Sequence, residues 1–158
     1  MGKGKHIILL SANGDIIPDM LIYKRGNLLE ASCSLAHCVS ADLAMRRGIA
    51  SEFRKKFGRM SELKLQKAEV GQIAVLKCDN RYVFCLITKA RYYEKPTMET
   101  IRSSLIQLKH FMIKNDLTLI AIPKLASGHD RMLWPNVEQL LKEIFDNSNI
   151  LIIVHTLV

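Results

Sequence analysis

The chain is short of acid. Its 15 Asp and Glu stand against 23 Lys and Arg, a formal net charge of +8 over 158 residues. Such a surface attracts polyanions, whether nucleic acid, phosphate-bearing partners or acidic lipid. Glycine and proline are few, at 8 and 4, which excludes a collagen-like or low-complexity chain and, with 49% apolar residues, argues against disorder. No linker or internal repeat divides the chain. Splitting it in two would leave each half a marginal core, so one domain is expected.

Long apolar runs are also missing: none approaches the roughly 20 residues that span a bilayer. Ile7-Ile8-Leu9-Leu10 follows Lys3, Lys5 and His6 in the manner of a signal peptide, but the run is too short and no cleavage pattern follows it. His6 stands where a myristoylation signal wants Ser or Thr. A soluble protein of nucleus and cytoplasm, without a membrane partner, is expected. The 4 cysteines, Cys33, Cys38, Cys78 and Cys85, show no C-x-x-C spacing and no His at zinc-ligand spacing, so neither metal nor cofactor is expected. Three sit in apolar runs and read as buried free thiols, suited to a reducing compartment.

What is present is alternation of strand and helix. Met20 to Lys24 reads as a strand stopped by the turn residues Arg25-Gly26-Asn27, and Ser34 to Val39 as a short buried one. Ile49, Phe53 and Phe57 have helical spacing, with Gly58 as the stop, and a further turn or two covers Ser61 to Ala68. Ile73 to Lys77 and Arg81 to Thr88 form a hairpin across Cys78-Asp79-Asn80. Thr97 is the N-cap of a helix whose face is Ile101, Leu105, Leu108 and Met112 and which ends near Asn115. A strand, Leu117 to Ile122, follows. A helix from Trp134, with Pro135 in its first turn, and a last strand, Ile150 to Val154, complete the pattern. The order predicts an α/β fold: a three-layer sandwich around a mixed, mostly parallel sheet.

A right-handed crossover between strands Arg81 to Thr88 and Leu117 to Ile122 puts their carboxyl ends on one rim, where open α/β sheets hold ligands. Lys89 leaves the first end, and the loop Lys124-Leu125-Ala126-Ser127-Gly128-His129-Asp130 leaves the second. Loss of hydration at the mouth of a buried strand favours the neutral amine of a nucleophile, and a carboxylate nearby can move its protons. Small residues ahead of a helix let backbone N–H groups approach an anion. The residue pattern alone leaves open whether Lys89 is such an amine or a solvated charge, and whether Asp130 only complements a helix start.

Other signals are weaker. Ser127 lacks the G-x-S-x-G elbow, neither glycine-rich phosphate motif follows a strand, and His129-Asp130 has no evident companion ligands. His37 fits a satisfied core histidine. The cations from Arg46 to Lys67 read as a solvated helical face or a nucleic-acid footprint. Tyr92 and Tyr93, among basic residues, can stack on bases.

Taken together, Ser34-Leu35-Ala36-His37-Cys38-Val39-Ser40, Gly48-Ile49-Ala50, Lys55-Lys56-Phe57-Gly58, Leu86-Ile87-Thr88-Lys89, Lys95-Pro96-Thr97 and Gly128-His129-Asp130-Arg131 resemble the macrodomain family, in its branch of terminal ADP-ribose protein glycohydrolases. The likeness runs from about Leu21 to Leu157. It implies a single macrodomain and hydrolysis of ADP-ribose esters on glutamate, aspartate or acetyl, with Lys89 as nucleophile and Asp130 as general base. It also implies that Asn27, Leu28, Ser40, Gly48, Ile49, the loop Lys124 to His129 and Leu157 line the substrate pocket. ADP-ribose and ADP-ribosylated proteins are the implied partners, with ADP-ribosylated nucleic-acid ends and poly(ADP-ribose) beside them, no metal, and a monomeric state. An ADP-ribose reader without catalysis and a basic nucleic-acid binder are the alternatives.

Three positions depart from the family pattern. Asn27 replaces an aspartate that meets the adenine amino group, Arg46-Arg47 replaces small residues near the distal ribose, and Ala126 replaces a glycine. Asn27 keeps a carbonyl acceptor but no charge. Ala126 costs about 1 kcal/mol wherever positive φ is required.

Overall fold

The computed structural model describes residues 20–128 and 130–156, together with the backbone of a short antiparallel pair, β1 (Leu9–Leu10) and β2 (Ile16–Ile17). The main elements are β3 (Leu21–Arg25), β4 (Ser34–Ser40), α1 (Gly48–Phe57), α2 (Met60–Leu65), β5 (Ile73–Cys78), β6 (Arg81–Lys89), α3 (Met98–Lys114), β7 (Leu119–Ile122), α4 (Trp134–Phe145) and β8 (Leu151–Thr156). A 3-10 turn, Leu28–Glu30, follows β3.

Strands β3 to β8 form one six-stranded sheet in the order β3-β8-β7-β4-β6-β5. All pairs are parallel except β5 with β6, the expected hairpin. Its two-residue turn is Asp79-Asn80, and Cys78 belongs to the strand. Strands β6 and β7 are parallel, as the crossover between them requires, with β4 running between them.

The central strands are buried on both faces and so read as near-continuous apolar runs. Edge strand β3 instead exposes Tyr23, Lys24 and Arg25, charges that discourage further pairing. Even positions of β6, Phe84 and Leu86, pack with Ile101, Leu105 and Leu108 of α3 and Val137, Leu140 and Leu141 of α4. Odd positions, Val83, Cys85 and Ile87, pack with Phe53 of α1, Leu63 of α2 and Leu28 and Leu29 of the 3-10 turn. The three layers expected for the fold class are therefore α3 and α4, the sheet, and α1 with α2.

His37 lies in the second core, fully buried and stacked on Phe53 with ring centroids 3.8 Å apart. Its Nε2 lies 3.4 Å from Cys85 Sγ, while Nδ1 has no partner among the described residues. It is a core histidine, as expected, but only half satisfied, and burial drives its pKa down to about 3. Of the four free cysteines only Cys85 is fully buried; the other three are half-buried.

Candidate active site

The carboxyl ends of the five parallel strands enclose a cleft of about 1030 Å³, at the top of the size range of small-molecule sites, which reaches about 1,000 Å³. Every candidate residue that the structure describes lines it. Asn27 and Leu28 come after β3, Ser40 ends β4, Gly48 and Ile49 open α1, Lys89 ends β6, and Lys124, Leu125, Ala126, Ser127, Gly128 and Asp130 form the loop after β7. His129 and Leu157 lie outside the described residues.

Lys89 and Asp130 meet. Lys89 Nζ donates to Asp130 Oδ1 at 2.5 Å, and each side chain is only 12% exposed. The local sequence explains the placement of the amine. Pairing between β4 and β6 slips between Val39 and Ser40, so that Thr88 is bulged and Ser40 faces Lys89. Such a bulge re-aims the side chain after it. Beyond the strand, Thr97 and Thr100 form a reciprocal capping box at the start of α3, and the Thr100 hydroxyl also donates to the Thr88 carbonyl at 2.7 Å. The helix cap thereby pins the last turn of chain before the amine.

The carboxylate is positioned by a loop that closes on itself. Met132 N–H donates to the Ala126 carbonyl at 2.8 Å and Arg131 N–H to the Gly128 carbonyl at 3.1 Å. Ala126 sits at φ 58°, the left-handed region, so the conformation that suits glycine is imposed on alanine. Helix α4 begins only at Trp134, after this loop has turned. That start is the expected one, and a turn separates the small residues from the helix. Among the described residues Ala126 and Gly128 give their N–H groups to no backbone acceptor, and that of Ala126 is hydrogen-bonded to the Cys38 thiol.

A rival nucleophile is silent. Cys38 lines the cleft, but burial, and after it the charge of Asp130, pushes its thiol up to about 12, so no thiolate forms near neutral pH. Asn27 has a further part: its side-chain oxygen accepts from Leu29 N–H at 3.0 Å and caps the 3-10 turn. The carbonyl expected to be free for a base is already in use on one side.

Sequence reading missed how the exits of β4 and β6 are tied. Ala41 N–H donates to the Lys89 carbonyl at 2.8 Å and Asp42 N–H to the Ala90 carbonyl at 3.2 Å. Asp42 then accepts from Ser40 Oγ at 2.5 Å, Ala44 N–H at 3.1 Å and Tyr92 N–H at 3.0 Å. Burial pushes its carboxyl up, yet these hydrogen bonds prevail and hold it below its ordinary value. The run Ser-x-Asp after a buried strand was the available signal, since Asp side chains favour such turns.

No family model matches the chain. The ADP-ribose glycohydrolase OARD1 of Bos taurus and that of Homo sapiens are each 42% identical over 149 residues, which is 93% of this chain and 98% of theirs. A DNA ADP-ribosyl glycohydrolase of Thermus aquaticus is 28% identical over 137 residues, or 80% of this chain and 38% of that protein. Among solved structures, the macrodomain of Mycobacterium tuberculosis DarG superposes with a TM-score of 0.79 at 22% identity, over 87% of this chain and 97% of its own. That last likeness is one of fold.

Proposed function

The chain belongs to the macrodomain family of ADP-ribose glycohydrolases, and from that membership we propose that it releases ADP-ribose from ester linkages on glutamate and aspartate side chains and deacylates O-acetyl-ADP-ribose. The observation that carries this reading is the pair of Lys89 and Asp130, 2.5 Å apart on the floor of a cleft of about 1030 Å³. Asn27 and Leu28 take the base end of the ligand, the loop Lys124 to Gly128 its phosphates, and Lys89 its distal ribose. From β3 to β6 there are four strand steps, roughly 19 Å at about 4.8 Å each, a span suited to an extended dinucleotide-sized ligand.

Chemistry begins with transfer of a proton from the Lys89 ammonium to Asp130, which frees the amine lone pair. The amine attacks the anomeric carbon of the distal ribose. A C–N bond forms, and the bond from that carbon to the acyl oxygen breaks, its electron pair leaving with the carrier carboxylate. Asp130 gives its proton to the departing acid and becomes a base again. It then deprotonates a water that attacks the same carbon. The C–N bond breaks, its electrons return to Lys89, and the proton passes back from Asp130 to the amine. The sum is ester plus water giving acid plus ADP-ribose.

Lys89→Ala is expected to lower release from a glutamyl-ADP-ribose peptide by at least about 10³-fold with folding intact. Mass spectrometry of the wild-type protein quenched during turnover is expected to find ADP-ribose on Lys89. An undiminished rate in the variant, or an adduct only on another residue, overturns the nucleophile. Calorimetric ADP-ribose binding by a wild-type protein that yields no product turns the reading into that of a reader.

A further inference from the structure

Past Lys89, on the side away from Asn27, the loop after β4 meets the loop after β6 across the mouth of the cleft. Arg46, Arg47, Tyr92 and Lys95 line it. The Arg46 guanidinium lies over the Tyr92 ring, 4.6 Å from its centroid, and its Nη1 donates to Tyr92 Oη at 3.4 Å. Both sides of that contact are fixed. Asp42 accepts the Tyr92 N–H at 3.0 Å, Arg54 Nη1 donates to the Ala44 carbonyl at 3.0 Å, and Met45, next to Arg46, is buried. Arg46 gives its other N–H groups to no acceptor among the described residues. It is a planar fork held in place ahead of any ligand.

Charge there is one-sided. With Lys89 and Asp130 paired to each other, the charged residues lining the cleft are Arg46, Arg47, Lys95, Lys124 and Arg131 against Glu94 alone. Glu94 is turned back on its own chain, accepting from Arg91 N–H at 2.7 Å. Lys124 and Arg131 belong to the segment after β7, which takes the phosphates in the reading above. Arg46, Arg47 and Lys95 stand past the sugar, with no carboxylate partner among the described residues. What occupies that side is not the nucleotide but the group to which the distal ribose is esterified. Its scissile carboxyl is uncharged while the ester is intact and gives those cations no use. A second carboxylate on the same group does. Tyr92 follows Lys89 by three residues, at most about 10 Å of chain, so that carboxylate has to lie within a few bonds of the ester.

We propose that Arg46, with Arg47 beside it, selects carriers that hold a second carboxylate a few bonds from the scissile ester. Two sources share that chemistry: the acyl group of a dicarboxylic acid such as succinate, and a glutamyl ester with an acidic residue next to it in a peptide. The proposal rests on the hydrolase reading above. Arg46 is a specificity residue that seats the carrier and does not meet the anomeric carbon, and Tyr92 positions its fork. The bonds made and broken are those already given: ester plus water yields ADP-ribose plus the diacid, and the carboxylate held by Arg46 is a spectator.

The test compares the succinyl and succinamoyl esters of ADP-ribose, which have nearly the same shape and differ by one charge. The ratio of their kcat/KM values is expected to favour the succinyl ester about tenfold, the effect of one charge-assisted hydrogen bond, and to fall to about one in Arg46→Ala. Tyr92→Phe keeps the ring but not Oη and is expected to retain about a threefold preference. Peptides with glutamyl-ADP-ribose beside Glu or beside Gln separate the sources. A preference in the peptide pair assigns the mouth to acidic peptide, one in the acyl pair alone to diacid esters, and either upholds the proposal. Equal rates within both pairs, or a preference that survives Arg46→Ala, overturns it and leaves the hydrolase standing. Calorimetry of the same esters with the Lys89→Ala variant keeps binding apart from turnover. Tighter binding of the charged member with no release by the wild-type protein upholds carrier selection while removing the hydrolase.

Discussion

At the amino ends of its parallel strands the sheet turns through Asp79, Asp116, Asn147 and Asn149, with φ between 55° and 61°. At the carboxyl ends the same left-handed region is occupied by Leu43, Met45, Ala126 and Arg131, with φ between 46° and 58°. Asp and Asn visit that region cheaply, whereas the other four residues each cost on the order of 1 kcal/mol. One sheet supports both rims, so the difference belongs to the loops. Leu43 and Met45 are held there by burial, each being only 6% exposed, and Ala126 by its bond to Met132. Backbone strain persists only where surrounding structure over-determines it, and it gathers at functional sites. The rim that carries the cleft breaks the local rules most often; at the other, Arg59, at φ 56° and bonded to the Lys77 carbonyl beside the hairpin, is the exception.

The comparison is sharpest when one acid is removed from each rim. Asp130→Ala is expected to slow ADP-ribose release by about 10² to 10⁴-fold, the usual share of a general acid-base group. Its melting temperature should change little. Asp79→Ala should leave release within about twofold yet lower stability by about 1 kcal/mol, because alanine then takes φ 56°. Equal losses of turnover in the two variants would mean that catalysis depends on the whole fold and not on one rim.

Between the rims lies the body of the sheet, which sets the response to acid. His37 has its pKa held near 3, so between about pH 6.5 and pH 3 the unfolded chain binds a proton that the folded chain refuses. Stability is therefore full above about pH 6.5 and falls below it by about 1.4 kcal/mol per pH unit, or about 2 kcal/mol at pH 5. Asp42, at the rim, acts in the same sense, but only as pH drops below its unfolded value of 3.8. His155, lowered by burial and then by Lys24, acts in the upper window too. The His37 share is thus the slope lost in His37→Leu, read from urea midpoints at pH 7 and pH 5. A slope unchanged by that substitution would move the acid sensitivity away from the sheet body.

How much of this was legible follows the same division. Burial imprints a period on sequence, so β6, the stripe Val137, Leu140, Leu141, Ile144 and Phe145 on α4, and the cap at Thr97 were readable. Turns at the amino rim were readable because Asp79 and Asn80 advertise them. The meeting of Lys89 with Asp130 followed from the rule that parallel strands share a rim, even though β4 intervenes. Strand order itself was hidden, since it depends on pairings distant in sequence. Also hidden were the bulge at Ser40, the Asp42 tie and the stacking of Arg46 on Tyr92, which exist only once two loops meet. The Asn27 cap on Leu29 N–H was hidden too, because an Asn oxygen serves a local turn as readily as a ligand.

The smallest effect is the most direct measure of strain. Ala126→Gly relieves about 1 kcal/mol of left-handed penalty, but it adds unfolded-state freedom of about 0.5–1 kcal/mol and removes a methyl from a site only 8% exposed. A net change near zero, within about 0.5 kcal/mol, is expected in a urea titration. Asp79→Gly has no such penalty to relieve, because Asp already accepts its φ, and should destabilise by about 0.5 kcal/mol. The contrast between the two glycines, and not either value, reports the strain stored at the cleft. If Ala126→Gly destabilises by as much as Asp79→Gly or more, the Ala126 turn holds no strain, and the opposition of the two rims rests on Leu43, Met45 and Arg131.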